Sequence, residues 1–189
     1  MNNSEYIEAL KRIYLNQIGV KRFEIDSINR ELVDRLIKEG LVDENLRLTG
    51  KGRKIFKVGI LGGVFDIIHY GHITLLKTAK KMVDVLIVII ATDKTVIKMK
   101  GRKPINTAEN RKRVIEAIRY VDAAIIGDEN DFRIPLNMIK PDVIFLGYDQ
   151  KIPPGISLEE LKDVQVVKLN KVVKGIKTSM ILEKLMNQL

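Results

Sequence analysis

Cysteine is absent from this chain of 189 residues. That excludes a disulfide framework, a thiolate metal site and a cysteine nucleophile. Met1-Asn2-Asn3-Ser4 has no basic region followed by an apolar run, so no secretory leader is expected. The longest strongly apolar run, Val85 to Ala91, is far too short to span a bilayer and reads as a buried strand. The expectation is a soluble, cytoplasmic protein with no membrane partner. Neither charge sign dominates either part of the chain: residues 1–57 hold 12 lysines and arginines against 9 acids, and residues 58–189 hold 21 against 15. The net charge of +9 fits polyanions such as nucleoside triphosphates or nucleic acid, and equally fits a lysine-rich solvated surface.

Apolar residues make up 46% of the chain, enough for a real core, and the length allows one domain with a small appendage. Histidine is scarce, and the two present, His69 and His72, fall in one stretch, Gly62 to His72. Before it, Lys57-Val58-Gly59-Ile60-Leu61 reads as an apolar strand. After it, Ile73, Leu75, Leu76 and Ala79 recur at helical spacing. A strand, a double glycine and a helix start suit a phosphate. Glycines let the backbone approach closely, free N–H groups at a helix start favour an anion, and imidazoles add donors that follow developing charge.

From Lys57 onward strands and helices alternate, which argues a parallel sheet. Strands are expected at 57–61, 84–91, 123–126, 142–146 and 165–169. Helices are expected at about 71–82 and 107–120, the second with Val114, Ile115 and Ile118 inward. Short helices follow near 136–139 and 157–162, with Pro153-Pro154-Gly155 between them, and a last helix starts near Thr178. Residues 92–106 read as a polar loop. The fold class is α/β, a doubly wound five-stranded parallel sheet of order 3-2-1-4-5, with the site at the switch point between the first and fourth strands.

Residues 1–54 read as a separate small domain and 55–189 as the main one, with no Pro- or Ser-rich linker between them. A helix is expected over 4–16, with Tyr6, Leu10, Ile13 and Tyr14 as its stripe. Another is expected over 27–38, capped by Asp26 or Ser27, with Ile28, Leu32, Leu36 and Ile37 inward. Leu41-Val42 and Leu46-Arg47-Leu48 read as two short strands. This pattern, ending in Leu48-Thr49-x-x-Gly52-Arg53, resembles a winged helix-turn-helix. That likeness implies DNA as a partner, with Asn29, Arg30, Arg35 and Lys38 as base readers and Arg47, Lys51 and Arg53 on phosphates. Glu31, Asp34 and Glu39 on the same helix favour packing or homodimerisation instead.

Gly63 to His72 resembles the HxGH signature of the nucleotidyltransferase superfamily, in its cytidylyltransferase-like branch. Val64 stands where that family has Thr or Ser, so a hydroxyl contact is replaced by a backbone N–H. Three more blocks resemble the family in the same order: Thr92-Asp93-Lys94, Gly147-Tyr148-Asp149-Gln150, and Gly175 to Ile181. The last is similar to a block of glycerol-3-phosphate cytidylyltransferases. Val172 replaces that family's arginine, with Lys171, Lys174 and Lys177 as stand-ins. Lys98 to Ile105 resembles a stretch of the archaeal FAD synthases, as does Gly147-x-Asp149-Gln150. Arg119-Tyr120-Val121-Asp122 looks instead like the cytidylyltransferases, and the C-terminal cysteines of the archaeal FAD synthases are missing.

The resemblance implies transfer of a nucleoside monophosphate from a nucleoside triphosphate (ATP or CTP) to a phosphate-bearing acceptor, with release of pyrophosphate. The first choice is FMN adenylyltransferase. The alternatives are a CTP-dependent glycerol-3-phosphate cytidylyltransferase and a DNA-binding regulator with a nucleotide-sensing domain. His69 and His72 would be catalytic. Gly62, Gly63, Val64, Phe65, Lys100, Arg102 and Arg111 would bind phosphate, with Lys100 and Arg102 on a flexible clamp. Arg111 and Lys112 could equally pair with Glu109 and Glu116. Gly147, Asp149 and Gln150 would meet the nucleoside, and Thr178 and Ser179 the triphosphate. Mg²⁺ would accompany the nucleotide with no direct protein ligand. Asp66 would orient a histidine or touch the ion through water.

Overall fold

The computed structural model describes residues 3–24, 28–152, 155–157, 159–169 and 178–188. The chain divides into two compact units, Met1–Lys57 and Val58–Leu189.

In the first unit, α1 (Asn3–Gln17) buries Leu10, Ile13 and Tyr14. Helix α2 (Arg30–Lys38) buries Leu32 and Leu36. It starts later than expected because the Asn29 side chain accepts from the Glu31 N–H and caps it there. Asp26 and Ser27 lie outside the described residues. The two expected short strands reduce to one antiparallel bridge, Val42 with Leu48. The Asp43 carboxylate accepts from the Asn45 and Arg47 N–H groups at 2.9 and 2.8 Å, so a side chain takes donors that a longer ladder would use. Thr49 caps α3 (Gly50–Arg53), which carries Lys51 and Arg53 off the expected wing. Lys51 donates to the Glu39 carbonyl, and Arg35 pairs with Glu39 while lying over the Tyr6 ring. These cations serve the unit's own packing.

The second unit holds a parallel sheet of order β3-β2-β1-β4-β5, as the alternating pattern predicts. Its strands are β1 (Val58–Gly63), β2 (Val85–Ile90), β3 (Ala123–Ile126), β4 (Val143–Gly147) and β5 (Gln165–Leu169). Every residue of β2 is buried, as an unbroken Val/Ile/Leu run in a central parallel strand must be. Crossovers run through α4 (Tyr70–Lys80), α5 (Asp93–Lys100), α6 (Ala108–Glu116) and α7 (Arg133–Ile139), and α8 (Thr178–Met186) follows β5. Right-handed crossovers put α4 and α6 on one face and α7 on the other. The core is built on Leu61, Leu76, Leu86, Val88, Ile115 and Phe145.

Three expectations change. Residues 92–106 are not all loop. Thr92 caps α5 by accepting from the Thr95 N–H, and Gly101, at φ +66°, stops it. Helix α6 ends at Glu116, and Val114 is exposed while Arg111 and Ile115 take the buried face. The expected helix at 157–162 is a single 3-10 turn, Glu159–Leu161. Pro153 and Pro154 lie outside the described residues.

At the N-terminal edge of the sheet two aspartates finish the strands. Asp142 accepts from the Val58 N–H at 2.7 Å. Asp122 accepts from the Leu86 N–H at 2.7 Å and pairs with Lys80, which also donates to the Asp84 carbonyl.

Candidate active site

At the opposite edge two strands part. β1 pairs with β4 only from Gly59–Val143 to Leu61–Phe145. Beyond that, Gly62 and Gly63 stay with Ile89 and Ile90 of β2, while Leu146 and Gly147 stay with Lys168 and Leu169 of β5. This split is the switch point at which open α/β sheets bind ligands.

The turn after β1 is tight. A Cβ on Gly63 would stand 2.6 Å from the Phe65 ring. Phe65 has φ +53°, rare for an aromatic residue, and this turns its ring into the core, edge-on to His72 at 5.1 Å. Phe65 is expected among the phosphate-binding positions, and its ring is a packing group that seats a histidine. His69 occupies the N-cap position of α4 without a side-chain cap bond, and the His72 N–H bonds to the His69 carbonyl at 2.9 Å. The two imidazoles stack, 3.8 Å apart and 20° from parallel. The Nδ1 of each is buried with no partner among the described residues. Burial pushes both below the usual histidine range. His72 falls to about 4, through burial first, then the nearby His69 and Lys100, against a hydrogen bond with the Ile67 backbone. Both rings are therefore neutral near pH 7, each with one N–H to donate.

Asp66 does not face the histidines. Its carboxylate is buried and accepts from the Ile105 and Asn106 N–H groups, both at 2.9 Å, while the Asn106 side chain donates to the Asp66 carbonyl at 2.8 Å. The Lys98–Ile105 segment is therefore fastened to the histidine turn rather than hung as a flexible clamp. Lys100 stays exposed, and Arg102 lies 3.8 Å from Asp66 while donating to the Lys103 carbonyl. Arg111 is 1% exposed. It donates to the Asn106 and Val64 carbonyls at 2.9 and 2.7 Å and to Asp93 at 2.6 Å. All three guanidinium nitrogens are engaged, so Arg111 braces the turn from behind and does not present itself to phosphate. Lys112 pairs with Glu116, as one reading of the sequence had it, whereas Glu109 takes Arg113.

Across the split, Asp149 is exposed beside Gly147. Gln150, expected on the nucleoside, instead accepts from the Gly147 N–H at 2.7 Å and donates to the Gly62 carbonyl at 2.9 Å. Thr178 donates to the Ile67 carbonyl at 3.4 Å and so brings the start of α8 beside the histidine turn. The Ser179 side chain, and Lys171, Val172, Lys174, Gly175 and Lys177, lie outside the described residues. A groove of about 380 Å³ follows the outer face of α4 from Tyr70 to Lys81 and does not include His69 or His72.

Sequence reasoning missed Asp93 and the Asn106 side chain as parts of this network. A polar residue at each end of a short lysine-rich segment was the available signal, and it reads equally as capping.

Residues 60–185 match the family model described as cytidylyltransferase-like. The chain is 48% identical over 143 residues to the FAD synthase of Pyrococcus horikoshii, covering 72% of this chain and 95% of that one. It is 53% identical over 100 residues to the FAD synthase of Archaeoglobus fulgidus, covering 53% and 72%. Among solved structures, a lipopolysaccharide core biosynthesis protein from Thermoplasma volcanium is similar at 37% identity and a TM-score of 0.57, covering 62% of this chain and 98% of that one. Among the described residues, no helix is long and apolar enough to cross a membrane.

Proposed function

The chain belongs to the cytidylyltransferase-like family, and from that premise we propose that it is an FMN adenylyltransferase, joining AMP from ATP to FMN with release of pyrophosphate. The observation that carries the choice of substrate is where the two conflicting likenesses fall. The segment similar to the FAD synthases, Lys98–Ile105, is bonded through Asp66 to the histidine turn. The segment similar to cytidylyltransferases ends on Asp122, which caps β2 at the far edge of the sheet. Only the first lies where it can choose a substrate.

In the reaction, a phosphate oxygen of FMN attacks the α-phosphorus of ATP in line. The new P–O bond forms as the bond to the β-phosphate bridging oxygen breaks, and pyrophosphate carries off that electron pair. Such transfer needs positioning and charge stabilisation, and no covalent protein intermediate. His69 donates to an α-phosphate oxygen as charge builds, and His72, whose neutral N–H is directed at the Ile67 backbone, donates as the imidazolium that phosphate charge favours. Their unpartnered nitrogens support that role, since a buried polar group without a partner is suited to a ligand. The backbone of Gly62–Val64, Lys100 and Arg102 and the start of α8 at Thr178 take the remaining phosphates. Gly147 and Asp149 meet the nucleoside. Magnesium would accompany the triphosphate and supply charge neutralisation on its phosphate oxygens. Among the described residues no three acids or histidines are grouped to hold an ion, and both Asp66 oxygens already accept backbone N–H groups.

The test is a matrix of ATP or CTP with FMN, glycerol 3-phosphate or phosphopantetheine, with Mg²⁺, following pyrophosphate. ATP with FMN is the expected pair. Turnover confined to CTP would assign the chain to the alcohol-phosphate cytidylyltransferases.

A further inference from the structure

The β1–β4 ladder stops at Leu61 and Phe145, and past that point the two main chains follow different neighbours. One side chain spans the gap. Gln150 Oε1 accepts from the Gly147 N–H at the end of β4, and Gln150 Nε2 donates to the Gly62 carbonyl on β1, 88 residues away. The orientation of the amide is fixed by its partners, since an N–H can only donate and a carbonyl can only accept. The Gln150 backbone N–H closes the same turn on the Gly147 carbonyl at 3.0 Å. A Cβ at Gly147 would stand 3.3 Å from Oε1, so the amide is seated directly against that glycine.

We infer that Gln150 is a positioning residue: its amide is a rung that replaces the missing main-chain pairing between β1 and β4 and so sets the width of the crevice. On one side of the rung are Gly62-Gly63 and the histidine turn. On the other is the Gly147–Gln150 turn with Asp149. The inference rests on nucleotidyl transfer at this switch point, and it gives Gln150 a different job from contact with the base. A carboxylate in its place would offer two acceptors and leave the Gly62 carbonyl facing an oxygen. A thioether would make neither bond. In either case the two halves of the crevice lose their fixed separation, and a misplacement of about 1 Å lowers turnover by about 10²-fold, with a smaller loss of affinity for ATP, whose nucleoside and phosphates sit on opposite halves.

The test compares the full chain with Gln150→Met and Gln150→Glu. It measures exchange of the Gly147 amide by NMR, ATP binding by calorimetry, and kcat and KM with ATP and FMN. In Gln150→Met the Gly147 amide should exchange at least tenfold faster. Its ATP affinity should fall by less than about tenfold, because ATP spans the two halves, and kcat should fall about 10–100-fold. In Gln150→Glu the Gly147 amide should stay protected, because a carboxylate can still accept it, yet kcat should fall similarly because the Gly62 bond is gone. Unchanged Gly147 exchange in Gln150→Met overturns the inference. So does a tenfold loss of ATP affinity with kcat retained, which marks direct nucleotide contact. Loss of the folded state in both variants assigns Gln150 a purely structural role and also overturns it. If the wild type fails to turn over FMN, the acceptor assignment falls alone, and ATP affinity with Gly147 exchange still decides about Gln150.

Discussion

The two edges of the sheet use the same device for different ends. At the N-terminal edge, Asp142 accepts the first N–H group of β1 and Asp122 the second of β2, and Lys80 lies against Asp122. At the C-terminal edge, Asp66 also accepts backbone N–H groups, but those of a loop, and behind it stands the buried Arg111. The N-terminal edge holds satisfied ions, and a left-handed residue there, Lys140 at φ +49°, does no more than end α7. The C-terminal edge gathers a positive φ at Phe65, two buried imidazole nitrogens without partners among the described residues, and a ladder that has come apart. A positive φ occurs at both edges, so the contrast rests on the unsatisfied groups and the parted ladder, which collect where function is. A short motif shared with another family therefore says little until its edge is known.

The largest effect that would test this contrast lies in the support of the C-terminal edge. Arg111→Met removes a buried cation and strands Asp93 and two carbonyls. Asp93 is 42% exposed and water takes over its charge, so the loss comes from the two carbonyls left without a donor, about 1–3 kcal/mol each. Denaturant titration should show that loss, along with faster exchange of the Ile105 and Asn106 amides as the loop loosens. A loss under about 1 kcal/mol would mean that Arg111 is replaceable packing.

Next in size is the chemistry itself. His72→Ala should lower kcat by about 10²–10³, the usual effect of removing one preorganised donor to a developing oxyanion, with the fold retained by circular dichroism. Unchanged turnover would remove His72 from the mechanism.

The same residue makes stability depend on pH. Its imidazole titrates near 6.5 when unfolded and at about 4 in the fold. Between those values the unfolded chain takes up a proton that the folded chain refuses. The contribution is complete above about pH 6.5 and is lost as the pH falls toward 4, by up to about 3 kcal/mol. His72→Gln should flatten that part of the wild-type stability curve. Equal slopes in the two proteins would show that His72 is not held neutral. Bound triphosphate should reverse the trend, because phosphate charge beside the ring favours the imidazolium.

How much of this was legible in the sequence depends on how local the cause is. Strands 123–126 and 165–169 are read to the residue, because each is a short run with adjacent β-branched residues, Ile125-Ile126 and Val166-Val167, even though β5 buries only Leu169. The paired histidines after a double glycine are equally local. Helix α5 was hidden because only Val96 on it is buried, so its lysines and polar residues carry no apolar stripe. The cap at Thr92 and the stop at Gly101 were its only marks. Arg111 and Gln150 were misassigned for another reason. Their partners, Val64 and Gly62, are 47 and 88 residues away in the chain. An arginine and a glutamine near a phosphate motif read as ligand contacts until the fold shows that backbone groups have already claimed them.

The smallest effect concerns the N-terminal edge, and it bears most directly on substrate choice. Asp122→Asn keeps an acceptor for the Leu86 N–H but removes the charge opposite Lys80. Both side chains are mostly buried, so the pair is screened less than a surface bridge, yet Lys80 keeps its bond to the Asp84 carbonyl. A loss of about 1–2 kcal/mol is expected, within the range for hydrogen bonds to charged groups. The kcat of the folded protein and its preference for ATP over CTP should not move, because Asp122 and the histidine turn lie at opposite ends of the strands. If the variant instead shifts nucleotide preference at unchanged stability, the Arg119–Asp122 likeness carries specificity after all. The division between a structural edge and a chemical edge would then fail at the point where the assignment of ATP and FMN depends on it.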